Sequence, residues 1–204
     1  MPSIIYISIL SFLINLSWAQ SAKLLFAEAK DAFSIGNYTN AICKCDKALL
    51  KNKKLKEANF IAGLSCYNLK DTLKAISYFS KEIQINKTDY KSFLYRAKLN
   101  TKTYELSHHD LLLAEELQPT NFLIHLEKGN LNYHHLKYND AIKDYLKAVS
   151  IRTSLDDAYY KLGFCKFYIH DTINACNYWN KVEELDDYKN YELIQNICNK
   201  QKQP

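Results

Sequence analysis

The residues of this 204-residue chain that could do chemistry include six histidines and six cysteines. Two adjacent pairs, His108-His109 and His134-His135, are the first candidates for a metal site. Neighbouring residues on a helix point about 100° apart, whereas a metal site needs its ligands on one face. The chain contains no GxGxxG, GxxxxGK[ST], HExxH or GxSxG segment, and its four glycines leave little material for a phosphate-binding loop. We therefore expect no catalytic activity, no metal and no cofactor.

Composition favours a helical protein. Only four Gly and three Pro interrupt the chain, and Leu, Ala, Lys and Glu, which favour helix, are frequent. The net charge of +5 is lower than a dedicated nucleic-acid binder usually carries, so we expect no nucleic-acid partner.

The first twenty residues differ from the rest. Residues 4–16 are mostly apolar, and the small residues Ser17 and Ala19 stand where a signal peptidase requires them. We predict that residues 1–19 are an export signal and that the mature protein, periplasmic or secreted, begins at Gln20. The apolar run is shorter than a confident membrane span. The alternatives are an uncleaved membrane anchor, which would give the protein a membrane association, and a buried first helix.

A repeated pattern occupies most of the chain. Its fixed point is an Ala followed by an apolar residue, at Ala41, Ala75, Ala141 and Ala175, with Ser107 in the same slot, and the intervals are 34, 32, 34 and 34 residues. Gly63, Gly129 and Gly163 stand twelve residues before three of these alanines, and Phe79, Tyr145 and Trp179 stand four residues after them. A period of 34 residues is typical of a helix-turn-helix repeat.

In this period, and in its small and aromatic positions, the chain resembles the tetratricopeptide-repeat (TPR) family. The resemblance implies an all-α fold, a TPR α-solenoid of about five antiparallel helix pairs across residues 20–187. The repeats would be 22–55, 56–87, 88–121, 122–155 and 156–187, followed by a capping helix and tail in 188–204. We call the two helices of a repeat A and B. Close packing predicts that the Gly of helix A meets the Ala of helix B, with the aromatic residue one turn away.

The resemblance also implies a function, since TPR arrays bind a peptide or a partner helix in a concave groove lined by A helices. The family register gives a largely aromatic lining: Phe26, Lys30, Phe33, Phe60, Leu64, Tyr67, Arg96, Leu126, Asn130, Tyr133, Tyr160, Phe164, Phe167 and Tyr168. The alternative is that these residues pack between neighbouring A helices. Phe26 and Lys30 replace the first Lys and Asn of the family's carboxylate clamp, so an acidic C-terminal tail is disfavoured. We expect a non-catalytic interaction module with a protein or peptide partner.

The resemblance leaves undecided the roles of two cysteines and of a lysine cluster. Cys165 and Cys176 would stand at the same level of the fifth helix pair, which makes them a candidate disulfide if the chain is exported. The alternative is that each is a small buried apolar residue. A lysine cluster, comprising Lys44, Lys47, Lys51, Lys53, Lys54 and Lys56, either meets an anionic partner or lipid headgroups, or is a solvated helix end.

Overall fold

The computed structural model describes the backbone of residues 2–182 and 190–200, and the side chains of residues 17–182 and 190–200. Within these ranges the chain forms eleven helices and no strand, which confirms the predicted all-α fold. The helices are α1 (Pro2–Ser34), α2 (Tyr38–Lys51), α3 (Ala58–Asn68), α4 (Thr72–Ile85), α5 (Tyr90–Leu99), α6 (Tyr104–Leu117), α7 (Phe122–His134), α8 (Tyr138–Ile151), α9 (Asp156–Tyr168), α10 (Thr172–Trp179) and α11 (Tyr191–Lys200). The predicted end of the last repeat at residue 187 lies outside the described residues.

The helices belong to two compact units, Met1–Leu99 and Asn100–Pro204. In the first unit α1 pairs with α2 and α3 with α4, while α2 packs on α3 and α4 on α5. In the second unit α7 pairs with α8 and α9 with α10, while α6 packs on α7, α8 on α9 and α11 on α10. The boundary between the units falls inside the third predicted repeat, whose turn region is two residues shorter than that of the others.

In the turn between α3 and α4, Asp71 both closes the A helix and begins the B helix. The backbone N–H of Asp71 donates to the carbonyl of Cys66 at 2.9 Å, and its carboxylate accepts from the N–H of Lys74 at 3.2 Å. The residue before it, Lys70, is left-handed with φ 63°. The same conformation recurs at Gly36, Leu136 and His170, with φ of 77°, 58° and 64°. Ending a helix on a left-handed residue lets the backbone satisfy its last carbonyls and reverse direction.

The glycines of the A helices lie against aromatic rings of the B helices. A Cβ built on Gly63 would come within 2.7 Å of the Phe79 ring, and one on Gly129 within 2.5 Å of the Tyr145 ring. The nearest atoms thus belong to the aromatic residue, so its ring, which was expected one turn away, lies against the glycine itself. In the first pair Ala29 and Cys45, also sixteen residues apart, are both fully buried in one cluster. In this pair the A-helix residue is larger than the glycine of the other pairs, and the B-helix residue is smaller than their aromatic residue.

Candidate functional site

Three phenylalanines of the predicted groove are core residues. Phe26, Phe60 and Phe164 are only 8%, 9% and 7% exposed. The Phe60 ring lies 5.8 Å from that of Phe79, and the Phe164 ring lies 5.1 Å from that of Trp179. Their assignment to an open groove lining is therefore corrected. They follow the alternative of packing between helices. Phe60 and Phe164 lie against the bulky B-helix residue of their own pair, and Phe26 packs in a cluster with small residues of α2 and α3.

The other predicted groove residues of the first unit are partly or fully exposed: Lys30, Phe33, Leu64, Tyr67 and Arg96. Tyr67 packs edge-on against Tyr95, with ring centroids 5.7 Å apart. Arg96 donates from Nη1 to the Ser80 hydroxyl at 3.1 Å. Both side chains are thus held by neighbours on the adjacent helices, with part of their surface open.

In the second unit the exposed part of the predicted lining is dominated by tyrosine. Apart from Phe164, the predicted lining residues of this unit are partly or largely exposed: Leu126, Asn130, Tyr133, Tyr160, Phe167 and Tyr168. Tyr168 is 47% exposed and stacks on Tyr138, with centroids 4.8 Å apart. Tyr133 lies 5.9 Å from Tyr138. We call Tyr133, Tyr138 and Tyr168 the tyrosine cluster.

Tyr138 is absent from the predicted lining because it begins a B helix. Tyrosine also begins α2 and α6, at Tyr38 and Tyr104, and this recurrence is the signal that would have found it. Burial, with the neighbouring Tyr168 as a smaller cause, raises the pKa of the Tyr133 hydroxyl above its ordinary value. The phenols of Tyr133 and Tyr138, whose pKa is raised in the same direction, are therefore neutral donors at physiological pH.

Asn130, a predicted groove residue, is engaged inside the second unit. Its Oδ1 accepts from the Tyr145 hydroxyl at 3.0 Å and from Lys161 Nζ at 2.6 Å. Its Nδ2 donates to Glu127 Oε2 at 3.0 Å. The amide thus joins three neighbouring side chains and orients them.

A charged network between α6, α7 and α8 was not found by sequence reasoning. Glu115 accepts from Lys128 Nζ at 2.6 Å and from Lys147 Nζ at 2.9 Å. Lys128 also lies 3.5 Å from Asp144, whose carboxylate accepts from Asn132 Nδ2 at 2.8 Å. Burial alone would raise the pKa of Glu115, but the two ammonium groups outweigh it and lower the pKa to about 2. The network ties three helices together by charge-assisted hydrogen bonds.

The cysteines pair differently from the prediction. Cys176 forms a disulfide with Cys198 of α11, with Cα atoms 5.6 Å apart, so the candidate Cys165–Cys176 bridge is wrong. Cys165 is free and fully buried among residues of α8 and α9, including Tyr145 and Leu162. Its helix face thus turns toward the preceding pair, whereas Cys176 turns toward the C-terminal helix. Burial raises the pKa of the Cys165 thiol to about 12, which makes it unreactive.

Two cavities flank the last turns of α2 in the first unit. One, of about 410 Å³, lies between α2 and α4, and we call it the α2–α4 cavity. The other, of about 450 Å³, lies between α1 and α2 and is lined by Trp18, Leu25 and Leu50. Members of the lysine cluster stand beside both: Lys51 Nζ is 5.0 Å from the Trp18 ring centroid, and Lys53 lines the α2–α4 cavity.

Within the described ranges, no group of three or more His, Cys, Asp or Glu side chains is placed to hold a metal ion. No helix in the described part of the chain has the length and apolar character needed to cross a bilayer.

Comparison with known proteins gives likeness at the level of the fold. No protein-family model matches the chain, and no curated protein matches it. Residues 41 to the end of MamA from Desulfovibrio magneticus RS-1 superpose with a TM-score of 0.75 at 20% identity, covering 81% of this chain and 95% of that one. YrrB, described as a TPR protein with an unusual peptide-binding site, gives 0.71 at 16% identity, covering 88% and 91%. Pseudomonas aeruginosa pilF gives 0.75 at 12% identity, covering 91% and 87%.

These structural matches extend over more than four-fifths of both chains in each comparison. They agree with the 34-residue period and with the helix pairs closed by left-handed turns. The protein therefore has the all-helical repeat fold of the tetratricopeptide-repeat proteins.

Proposed function

We propose that the protein is a non-catalytic interaction module that binds a peptide or a partner helix through its A helices. The observation that carries the proposal is the partly exposed aromatic surface of the second unit. Tyr168 is 47% exposed although its ring stacks on Tyr138. Rings held in place by neighbouring rings lose little entropy on binding, and tyrosine is enriched among residues that dominate interfaces.

The tyrosine cluster offers both apolar area and hydrogen bonds. The phenols of Tyr133 and Tyr138 are neutral donors, so a partner could supply backbone carbonyls or carboxylates over an aromatic floor. The similarity to YrrB, which is described as having a peptide-binding site, supports this type of ligand. The buried Phe164 contributes by packing on Trp179, which fixes α9, the helix that carries Tyr168.

The test is a pull-down from native extract with the wild-type chain, a Tyr168→Ala variant and a Tyr191→Ala control. Tyr191 is 38% exposed, lies on α11 and is not part of the tyrosine cluster. We expect a protein retained by the wild type and the control and lost with Tyr168→Ala. If the same protein survives Tyr168→Ala in variants that keep full helicity, the tyrosine cluster is not the binding site.

We further propose that the protein is exported, with residues 1–19 as the signal. The Cys176–Cys198 disulfide supports an oxidising compartment. Signal cleavage would cut within α1, which is a single helix from Pro2 to Ser34, and would remove Trp18. An N-terminal sequence beginning at Gln20 is the expected result for the mature protein, and an intact Met1 chain recovered from a soluble intracellular fraction would contradict it.

The second candidate is a structural subunit of a membrane-associated complex, with the N-terminal segment retained as an anchor. The continuity of α1 through Ala19 favours it, as does Lys51 lying over the Trp18 ring. In that case the intact chain would be found in the membrane fraction and released only by detergent. Release by high salt alone would argue against an anchor.

A further inference from the structure

The α2–α4 cavity lies between two B helices of the first unit, outside the A-helix surface considered above. Its apolar walls are Leu49 and Leu50 at the end of α2 and Ile85 at the end of α4. Leu50 is 76% exposed, so a large apolar side chain stands open to solvent at the mouth of an open cavity. A volume of about 410 Å³ falls in the range of sites that hold a small ligand or a few side chains.

The lining of the cavity also includes an amide side chain. Asn59, near the start of α3, lines the cavity and is 4% exposed. An amide presents both a donor and an acceptor, which matches the backbone of a peptide.

The charge around the cavity is positive. Lys53 and Lys81 line it, and Lys81 Nζ lies 5.1 Å from the Tyr78 ring centroid. The acidic residue of the lining, Asp46, accepts a hydrogen bond from the Tyr78 hydroxyl at 2.9 Å. The lining thus carries two ammonium groups against one carboxylate. This charge complements an acidic partner.

We propose that the α2–α4 cavity is a second interaction site, which binds an acidic peptide segment carrying an apolar anchor. The anchor packs on Leu49, Leu50 and Ile85, the peptide backbone pairs with the Asn59 amide, and flanking carboxylates pair with Lys53 and Lys81. An open cavity with a polar side chain in its lining suits a protruding side chain and backbone better than it suits a flat bilayer surface. The site is independent of the tyrosine cluster, because it lies in the other unit.

The test begins with selection from a displayed library of random peptides on the full-length chain. We expect enrichment of sequences in which Asp and Glu flank Leu, Ile, Met or Phe. A selected peptide, fluorescently labelled, is then titrated by anisotropy against the wild type, Leu50→Ser and the double variant Lys53→Glu/Lys81→Glu. Both changes are expected to weaken binding about tenfold or more.

Two control variants test whether the peptide binds at the α2–α4 cavity and nowhere else on the chain. Leu73→Ser removes a Leu that is 82% exposed on α4 but lies outside the cavity lining, and it should leave the affinity unchanged. Tyr168→Ala should also leave it unchanged, so failure of the A-helix proposal and failure of this one are distinguishable. Selection without acidic preference, or affinity equal to wild type in Leu50→Ser and the charge-reversed variant, would overturn the proposal. So would binding to phosphatidylserine-containing vesicles that depends on Lys53 and Lys81 while no acidic peptide is selected.

Discussion

Gly163 lies directly beneath the indole ring of Trp179. A Cβ built on Gly163 would come within 2.2 Å of the indole nitrogen, closer than side-chain atoms approach one another. The same nitrogen donates a hydrogen bond to the carbonyl of Tyr160 at 3.1 Å, so the ring cannot move away without losing it. The contact fixes how closely α9 and α10 approach.

Replacing Gly163 with Ala is therefore expected to destabilise the protein by about 1–3 kcal/mol, the usual cost of overpacking a core. The direction of the stability change is informative, because in an exposed helix the replacement of Gly by Ala would stabilise the protein by about 1 kcal/mol. Urea unfolding followed by circular dichroism measures the difference. In a Trp179→Leu background the added methyl group has room, so Gly163→Ala should cost much less there. Equal stability of Gly163→Ala and the wild type would show that the ring and the backbone are not in contact.

The repeat period predicts the helix pairs because small and large residues must recur wherever two helices meet. The partner of each glycine was not predictable in the same way. Gly63 and Gly129 were identified, but which B-helix residue they contact depends on ring size and helix offset, and periodicity does not report these. The exposure of the groove residues could not be predicted for the same reason. Phe60 and Tyr67 share a helix and a family register, yet only Phe60 is buried by its neighbours.

The disulfide is expected to stabilise the C-terminal helix. Cys176 and Cys198 are 22 residues apart, and closing a loop of that size in the unfolded chain contributes about 3 kcal/mol. Cys198→Ser should lower the unfolding free energy by that order under oxidising conditions, and reductant should remove the difference from wild type. Cys43→Ser, at an exposed free cysteine, is the matched control. A non-reducing peptide map that links Cys165 to Cys176 would contradict the pairing.

Glu82 is expected to make the protein less stable as the pH rises. Its Oε1 accepts from the backbone N–H of Glu57 at 2.7 Å, just before α3, while Oε2 has no partner among the described residues. Burial, the largest cause, raises the pKa of this carboxyl above its ordinary 4.5. The folded state therefore holds the proton more tightly than the unfolded state, and stability falls as the pH rises from 4.5 through the folded pKa.

A Glu82→Gln variant tests this sign. The amide cannot ionise, so the variant should lose that part of the pH dependence and be at least as stable as the wild type near neutral pH. Urea unfolding across the acid range measures it, with Glu116→Gln, at an exposed residue of α6, as the control. An unchanged pH slope in Glu82→Gln would mean that this carboxyl is not responsible.

Glu115, in contrast to Glu82, should make the protein more stable as the pH rises. Its folded pKa of about 2 lies below the ordinary 4.5, because Lys128 and Lys147 outweigh the effect of burial. The stability that this pair of hydrogen bonds contributes is therefore complete above pH 4.5 and is lost as the pH falls from there toward about 2. Glu115→Gln should cost about 1–3 kcal/mol near neutral pH, the usual value for hydrogen bonds to a charged group, and much less in acid.

The control for Glu115 is Asp140→Asn, which breaks the ion pair between Asp140 and Lys143. Those side chains are 56% and 76% exposed, and exposed pairs contribute at most about 1 kcal/mol. Urea unfolding near neutral pH should thus give a lower unfolding free energy for Glu115→Gln than for Asp140→Asn. Near pH 3 the two variants should have similar unfolding free energies. If Glu115→Gln is as stable as Asp140→Asn near neutral pH, the ammonium groups are solvated in solution and the network does not hold α6, α7 and α8 together. If the deficit persists undiminished in acid, it arises from packing of the amide and not from charge.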